Sequence, residues 1–222
     1  AEYLPVRHDP AAPTLTNEVT TIAAFDPDVF ISMTAGNPCL LAIQEVEASG
    51  LYDRLDAAFT PSVCKGIAAY LAPAGMAADG YWIVGGGAKD TTDSGKMDEP
   101  FIAFARDLIS DAGEDPSISL TGEGVFRGYA FTEAFRIADA LPGGMSRTNL
   151  MLALRNFKIY HPGLLDGLVT ELKGNSDAYF VEGSEYSQFD AENQTWVMVG
   201  DVVDANGGTP NCRWDKANGG CR

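Results

Sequence analysis

Two short loops carry side chains well suited to hold a small polar molecule. The first is Thr34-Ala35-Gly36-Asn37, which follows the apolar run 29–33 and precedes a segment with helical spacing. The second contains Thr60 and Ser62, after another strand-like run. Ligands of open α/β sheets bind outside the carboxyl ends of the strands, where hydroxyl and amide groups can donate and accept hydrogen bonds. The spacing therefore predicts a binding site at these two loops.

A third group of candidate ligand contacts lies at a predicted helix start. Phe126 stands at the entry of an apolar helical segment, and Arg127 follows it. Helix N-termini can hold anionic groups through free backbone amides, and an arginine can pair with a carboxylate. The alternatives are an aromatic ring in the core and a solvated surface arginine. We predict Phe126 and Arg127 as ligand contacts, with Tyr129 in the core.

The sequence lacks the patterns that catalysis or metal binding requires. Its two histidines, His8 and His161, have no nearby partner pattern, and no nucleophile elbow is present. Gly85-Gly86-Gly87 lacks the motif and the following helix of a phosphate loop, and is typical of a flexible strand exit. The stretch 201–208 lacks the late glutamate of a calcium loop. We therefore predict a binding protein that is not an enzyme, without a metal or a cofactor.

Composition narrows the class of partner. The chain has 222 residues, with 31 acidic and 15 basic side chains and a net charge of -16. Such a charge repels phosphate backbones and anionic membrane surfaces, so nucleic acid is excluded as the expected partner. The sequence has no apolar run of about 20 residues, the length that a membrane span needs. A globular chain of one or two domains follows from these numbers.

The four cysteines predict two local disulfides. They stand at positions 39, 64, 212 and 221, and four cysteines allow three connectivities. Neither local pair has the short spacing of a structural zinc site. We expect Cys39–Cys64 and Cys212–Cys221, the second holding an irregular C-terminal tail in place. Disulfides persist in oxidising compartments, so both bridges predict a protein outside the cytoplasm.

The order of elements predicts an α/β layer with helices between parallel strands. Strand candidates are 2–6, 29–33, 57–60 and 80–84, and the run 29–33 has the composition of a central strand buried on both faces. Three helices are expected within 100–157, where no strand intervenes. A hairpin is expected from 186–189 and 195–199.

This order resembles the C-terminal part of the type I periplasmic binding proteins of ABC transporters, in the branched-chain amino acid binding family. The segments that carry the resemblance are 27–31 with 42–51, then 79–82, 128–134, 141–147 and 189–196. The resemblance implies two doubly wound, Rossmann-like lobes, of which only the C-terminal part is here. Its domains are then 1–88 in the second lobe, 89–158 as helices of the first lobe, and 159–222 as a returning hairpin and tail.

The resemblance also implies a function. Such a protein binds a small ligand between two lobes, delivers it to a membrane permease and carries a signal peptide, with a lipid anchor left open. The loop at Thr34 to Asn37 matches a ligand-contacting loop. The next loop normally supplies an acid for an amino acid's ammonium but reads Thr60-Pro61-Ser62 here, so a neutral or acidic molecule gains ground. A receptor ectodomain of the same fold and a fragment of an α/β enzyme are the alternatives.

The helices within 100–157 have apolar stripes and no strands of their own to cover. An exposed apolar stripe marks an interface. We therefore expect these helices to pack against a missing N-terminal lobe, and we expect this chain not to be an autonomous folding unit.

Overall fold

The computed structural model describes residues 2–174, 176–207, 214, 215, 217, 220 and 221. The chain forms two compact units. The first comprises residues 1–85, 89–124 and 185–201, and the second comprises 86–88, 125–184 and 202–222. These units divide the chain differently from the three predicted domains, because residues 89–124 group with the first strands. The assignment of the segments to two lobes stays a prediction.

The first unit contains a five-stranded sheet and the helices that cover it. Its elements are α1 (Thr16–Phe25), β1 (Val29–Ile31), α2 (Asn37–Ala48), β2 (Ala57–Pro61), α3 (Ala72–Ala74), β3 (Trp82–Val84), α4 (Pro100–Asp111), β7 (Tyr186–Asp190) and β8 (Thr195–Met198). Short helical turns at Ser62–Cys64, Ile67–Leu71 and Gly75–Ala78 join β2 to β3. α2 ends at Ala48, and Gly50, just beyond its C-cap, has a φ of 68°, the left-handed conformation that stops a helix.

The sheet is mixed, with the strand order β1-β2-β3-β7-β8. β1, β2 and β3 are parallel, whereas β7 runs antiparallel to β3 and forms the predicted hairpin with β8. One face of this sheet packs on α1, α2 and the turn Ile67–Leu71. Their shared core contains Leu15, Val19, Phe30, Ile43, Val46, Ala58, Ile67, Leu71, Ile83, Phe189 and Trp196.

The prediction that 29–33 is a central strand buried on both faces is wrong. β1 lies at an edge of the sheet, and only its middle residue Phe30 is buried, while Val29 and Ile31 are exposed. The helices of this unit cover the other face of the sheet, so the apolar run is half exposed. An uninterrupted apolar run is typical of a strand that is buried on both faces, but the helices of this unit pack on one face only.

The predicted strand at 2–6 is also absent from the structure. Residues 2–9 have no regular secondary structure and lie near β1 along an open groove. A strand needs a hydrogen-bonded neighbour, and β1 pairs with β2 alone.

The second unit holds most of a long helix and several short strands. α5 (Ser119–Ala140) begins in the first unit and continues into the second, followed by α6 (Arg147–Arg155). The strands are β4 (Lys158–Ile159), β5 (Thr170–Glu171), β6 (Gly183–Ser184), β9 (Val203–Asp204), β10 (Trp214–Asp215) and β11 (Gly220–Cys221), in three antiparallel pairs, β4-β5, β6-β9 and β10-β11. A small core forms where Ala130, Ala134 and Phe157 meet.

Exposed apolar side chains mark the helices that were expected to need a covering lobe. In the first unit these are Phe104 and Leu108 of α4, and in the second they include Phe131 and Phe135 of α5 and Leu152 of α6. No helix of the described residues is both long enough and apolar enough to span a bilayer. Packing of these helices against an N-terminal lobe stays a prediction.

Candidate functional site

The loop after β1 is built from small polar residues at the carboxyl edge of the parallel strands. The Ser32 backbone N–H donates to the Phe59 carbonyl (2.9 Å), which extends the strand pairing by one residue. The Ser32 and Thr34 hydroxyls lie 2.8 Å apart and are both buried. Ala35, Gly36 and Asn37 are exposed. A ligand at this edge can therefore contact the exposed turn, and the buried Thr34 hydroxyl stabilises the loop that carries the turn.

α2 starts directly from this turn. Gly36 has φ 67° and ψ -142°, a conformation that favours glycine, and it places Asn37 at the first position of a 12-residue helix. The Cys39 N–H donates back to the Gly36 carbonyl (3.0 Å), and Pro38 fits the first turn because it has no N–H to satisfy. The helix carries no acidic side chain in its first turn. Its N-terminus therefore presents an uncompensated positive dipole end at the exposed loop.

A disulfide joins the two predicted loops, as expected from the sequence. Cys39 of α2 and Cys64, in the turn Ser62–Cys64 after β2, are bonded with their Cα atoms 5.6 Å apart, and both are fully buried. The Thr34 hydroxyl lies 3.6 Å from the Cys64 sulfur. The bridge therefore holds Thr34 to Asn37 and Ser62 on one edge of the unit. The predicted Cys212–Cys221 bridge lies outside the described residues, because Cys212 is not among them.

Thr60 and Ser62 have different surroundings although they are two residues apart. Ser62 is exposed in the turn after β2, whereas the Thr60 side chain is buried on the core face of the sheet. Within the part of the chain that the structure describes, Thr60 Oγ1 has no hydrogen-bond partner. Ser62 can contact a ligand at the surface, and direct contact through Thr60 stays a prediction.

A buried ion pair lies beside this edge, and sequence reasoning did not find it. Lys65 Nζ pairs with Glu185 Oε1, and the Glu185 side chain is only 1% exposed. The Gly85 N–H donates to the Glu185 carbonyl (2.8 Å), and Trp196 Nε1 donates to the Lys65 carbonyl (3.0 Å). A residue larger than glycine at 85 would place its Cβ within 3.0 Å of the Glu185 carboxyl group. Gly85 is therefore a packing requirement, which replaces the predicted flexible strand exit.

The polar stretch after β3 fixes the helical turn that follows the second loop. The Ile67 N–H donates to the Asp90 carboxylate (2.7 Å), and the Thr92 hydroxyl lies 2.8 Å from that of Ser119. Asp93 accepts hydrogen bonds from the Gly95 N–H and the Thr195 hydroxyl, but burial dominates and raises the pKa of its carboxyl group. These side chains form hydrogen bonds that hold the turns of the first unit in place.

In the second unit, Phe126 and His161 form a stacked pair. Their ring centroids are 4.0 Å apart, and the Tyr129 ring approaches the same imidazole at 4.9 Å. The Gly163 N–H donates to His161 Nδ1 (3.0 Å), so Nε2 carries the proton and donates to the Phe126 carbonyl (2.8 Å). Burial lowers the pKa of His161. Ring stacking and two hydrogen bonds to backbone groups therefore hold the imidazole in place within the second unit.

Arg127 is exposed on α5, beside the partly exposed Phe126. Both residues belong to the second unit, and their role as ligand contacts stays a prediction. Among the described residues, no cluster of histidine, cysteine, aspartate and glutamate has metal-binding geometry.

Neither the comparison with protein-family models nor that with curated proteins gives a match. Several solved structures nonetheless have folds similar to that of this chain. A branched-chain amino acid ABC transporter protein from Thermus thermophilus with bound valine has a TM-score of 0.69 and 16% identity, over 86% of this chain and 49% of that one. A solute-binding protein from Rhodopseudomonas palustris HaA2 in complex with p-hydroxybenzoic acid has a TM-score of 0.66 and 13% identity, over 90% of this chain and 51% of that one.

A third similar structure is the leucine-, isoleucine-, valine-, threonine- and alanine-binding protein from Brucella ovis, with a TM-score of 0.61 and 16% identity over 90% of this chain. This chain spans about half the length of each of these proteins, 49% of the last. The similarity confirms the predicted fold class. The chain has the α/β fold of the ABC transporter solute-binding proteins over about half of that fold.

Proposed function

With half of a type I periplasmic-binding-protein fold as the premise, we propose that this chain is part of the solute-binding component of an ABC uptake transporter. Its ligand is a small organic molecule. The ligand lies at the carboxyl edge of β1 and β2, against the exposed turn Ala35 to Asn37 and Ser62, and the other half of the fold closes over it.

The observation that carries this proposal is the linked pair of polar loops. Two loops from neighbouring parallel strands are joined by a buried disulfide, and the first of them opens a helix. A binding site needs contact groups held in fixed positions, because flexible groups lose entropy when a ligand orders them. The disulfide and the Ser32–Thr34 hydrogen bond supply that order where α/β folds bind ligands.

The charges at this edge favour a neutral or acidic ligand. A ligand ammonium needs a buried carboxylate, and the loop after β2 reads Thr60-Pro61-Ser62. The nearby Glu185 carboxylate is already neutralised by Lys65. The N-terminus of α2 instead favours negative charge. We therefore place small organic carboxylates first among the ligands and zwitterionic amino acids second.

Location and partners follow from the same proposal. The buried Cys39–Cys64 bridge is typical of an oxidising compartment, so we place the protein outside the cytoplasm. Its partners are the other half of the binding-protein fold, a membrane permease and the small-molecule ligand. The similar solved structures are solute-binding proteins, which supports the proposal that this protein is not an enzyme.

A ligand-sensing receptor ectodomain is the second candidate function. One of the similar structures is described as an extracellular ligand-binding receptor from Rhodopseudomonas palustris, with a TM-score of 0.61. The two functions use the same site and differ in the membrane protein that recognises the closed form.

The test is a calorimetric titration of the natural polypeptide that contains this chain. The ligands are benzoate, p-hydroxybenzoate and valine, with benzylamine as the cation of matched size. We expect a carboxylate to bind and benzylamine not to bind. Asn37→Ala and Ser62→Ala should each raise the Kd about 10-fold, which corresponds to about 1.4 kcal/mol. Ser110→Ala, on the exposed surface of α4, is the control and should leave the Kd unchanged. Binding that neither site variant weakens would contradict the proposed site.

A further inference from the structure

The segment that follows β9 contains an Asn-Gly step, Asn206-Gly207, whose two amide groups both bond to carboxylates. The sequence has two such steps, at 206–207 and 218–219, and both stand in the same tetrapeptide, Ala-Asn-Gly-Gly. At an Asn-Gly step the glycine nitrogen can attack the asparagine side chain, because glycine has no Cβ to shield that nitrogen. The two local sequences are identical, so a difference in their reactivity must come from the fold.

The side-chain amide of Asn206 is anchored to β5. Asn206 Nδ2 donates a hydrogen bond to Glu171 Oε2 (2.7 Å), and the Asn206 backbone N–H donates to Asp204 Oδ1 (3.0 Å). The hydrogen bond from Asn206 is the largest contribution to a lowered pKa of the Glu171 carboxyl group, which therefore stays ionised at neutral pH. A hydrogen bond to an ionised acceptor is stronger than one between neutral groups. The amide that would react is thus held away from its own backbone.

The nitrogen that would attack is held by a second carboxylate. The Gly207 N–H donates to Glu182 Oε2 (2.5 Å), and the Ala205 N–H donates to the Glu182 carbonyl (3.3 Å). Attack requires the Gly207 nitrogen to give up its proton, and a nearby negative charge disfavours the anion that results. Glu182 therefore makes the nitrogen a poorer nucleophile.

The reaction at such a step is a cyclisation followed by a hydrolysis. The Gly207 nitrogen bonds to the side-chain carbonyl carbon of Asn206 and loses its proton, and the side-chain nitrogen leaves with that proton as ammonia. Water then opens the cyclic imide at either carbonyl, which leaves aspartate or isoaspartate at position 206. Water is the only reagent consumed. Gly207 is exposed and Asn206 is partly exposed, so water can reach the ring.

Conversion would change a favourable contact with β5 into a repulsive one. The Asn206 amide donates to Glu171, whereas an ionised carboxylate at the same position can only accept. Two carboxylates at this separation repel each other. Asp204, at the end of β9, also accepts a hydrogen bond from the Val169 N–H just before β5 (3.1 Å). A negative charge at 206 would therefore weaken the connection between β9 and β5.

We propose that Asn206 is a deamidation site whose rate is controlled by the folded second unit. Glu171 and Glu182 keep the reaction slow, and conversion releases β9 from β5. The site lies outside the loops that follow β1 and β2, so the inference does not rest on the proposed function.

Peptide mapping by mass spectrometry tests the control of the rate. The natural polypeptide that contains this chain is incubated at mildly alkaline pH, folded and in guanidinium chloride. In the unfolded sample, Asn206 and Asn218 should deamidate at equal rates, because their neighbours are the same. In the folded sample, Asn206 should react at least about 100-fold more slowly than in the unfolded one, because two hydrogen bonds to charged groups must break first. Equal rates for Asn206 in the two samples would overturn the proposal.

Variants of the folded polypeptide test the role of the two carboxylates. Glu171→Ala and Glu182→Ala should each speed the deamidation of Asn206 about 10-fold, since each removes one hydrogen bond to a charged group. Lys158→Ala is the matched control, because it removes another partner of Glu171 (3.3 Å) and leaves the contact with Asn206. It should leave the rate unchanged. Equal acceleration by Lys158→Ala and Glu171→Ala would overturn the proposal, because a general loosening of β5 would then explain both.

Asn206→Asp tests the consequence of conversion without waiting for the reaction. In the folded polypeptide it should speed the hydrogen exchange of the Val169 amide about 10-fold or more, because this amide bonds to the Asp204 side chain. Asn193→Asp, which adds the same charge at the exposed β7–β8 turn, is the control and should leave the Val169 amide unchanged. Unchanged exchange of Val169 in Asn206→Asp would show that conversion does not release β9, and would overturn that part of the proposal.

Discussion

Gly85 stands where the strand β3 leaves the sheet beside the buried Lys65–Glu185 pair. A Cβ at this position would lie within 3.0 Å of three atoms of the Glu185 side chain, which is only 1% exposed. We expect Gly85→Ala to lower the free energy of unfolding by about 2–4 kcal/mol, because it overpacks the site or breaks the ion pair. Urea unfolding of the purified chain measures this loss.

The next residue provides the control for that prediction. A Cβ on Gly86 meets no atom within 4 Å, and its φ is not positive. Gly86→Ala should therefore leave stability unchanged within about 0.5 kcal/mol, or raise it slightly through the unfolded state. Equal effects of the two substitutions would show that the glycines serve as flexible links.

His161 makes stability depend on pH. Burial lowers its pKa from the ordinary value of 6.5 in the folded chain, so the unfolded chain binds the proton more tightly. Stability is then complete above pH 6.5 and falls as the pH drops below it, by at most about 1.4 kcal/mol per pH unit for one proton. Protonation also turns Nδ1 into a donor that faces the Gly163 N–H.

The measurement is urea unfolding between pH 5 and 8. His161→Gln should remove part of the pH dependence, whereas Ser110→Ala, at an exposed position without a titratable side chain, should keep it. An unchanged pH profile in His161→Gln would assign the effect to other groups.

Some of these residue roles had no signal in the sequence. Lys65 and Glu185 are 120 residues apart, and only the strand order β3-β7 brings them together. Neither residue stands in a motif. The polar loop Thr34 to Asn37, in contrast, was visible because an apolar run, a glycine and a proline stand in sequence around it, and local turn chemistry determines its shape.

At the scale of elements, the disulfide links α2 to the turn after β2. Replacing Cys39 and Cys64 together by alanine should lower the free energy of unfolding by about 3–4 kcal/mol, the loop-closure entropy for a 25-residue separation. Chemical denaturation of the double variant measures this change. The double variant should also lose affinity for the ligand, since Ser62 and Asn37 would no longer be held on one edge. A stability loss below about 1 kcal/mol would show that packing alone aligns the two loops.

The helices and the hairpin could be predicted because their signals are local. α1, α2 and α4 follow apolar residues at helical spacing and have proline or glycine near their ends, and β7 and β8 flank a turn-rich break. The position of a strand within a sheet is a different kind of information. The run that became β1 has the apolar content of a central strand, yet its place at the edge depends on which neighbours are present.

At the scale of the whole molecule, the fold class was predicted from the order of elements, and the structure comparisons confirm it. The division of the chain into its two compact units was not predicted from the sequence. Residues 89–124 carry a polar stretch and an amphipathic helix, and Asp90 and Asp93 bind them to the first unit through caps on Ile67 and on the β8 strand. Long-range capping of this kind has no periodicity for a sequence pattern to report.

The pairing of β3 with β7 also sets the time at which this protein becomes able to fold. Trp82 pairs with Gln188, so roughly 100 residues are made between the two partners. At about 5–20 residues per second, a ribosome needs about 5–20 s for that stretch. During this interval the β3 edge has no partner within the sheet, and the growing chain stays short of its native state. The hairpin β7–β8 completes the sheet only after residue 198 has been synthesised, and until then the first unit cannot acquire its native strand order.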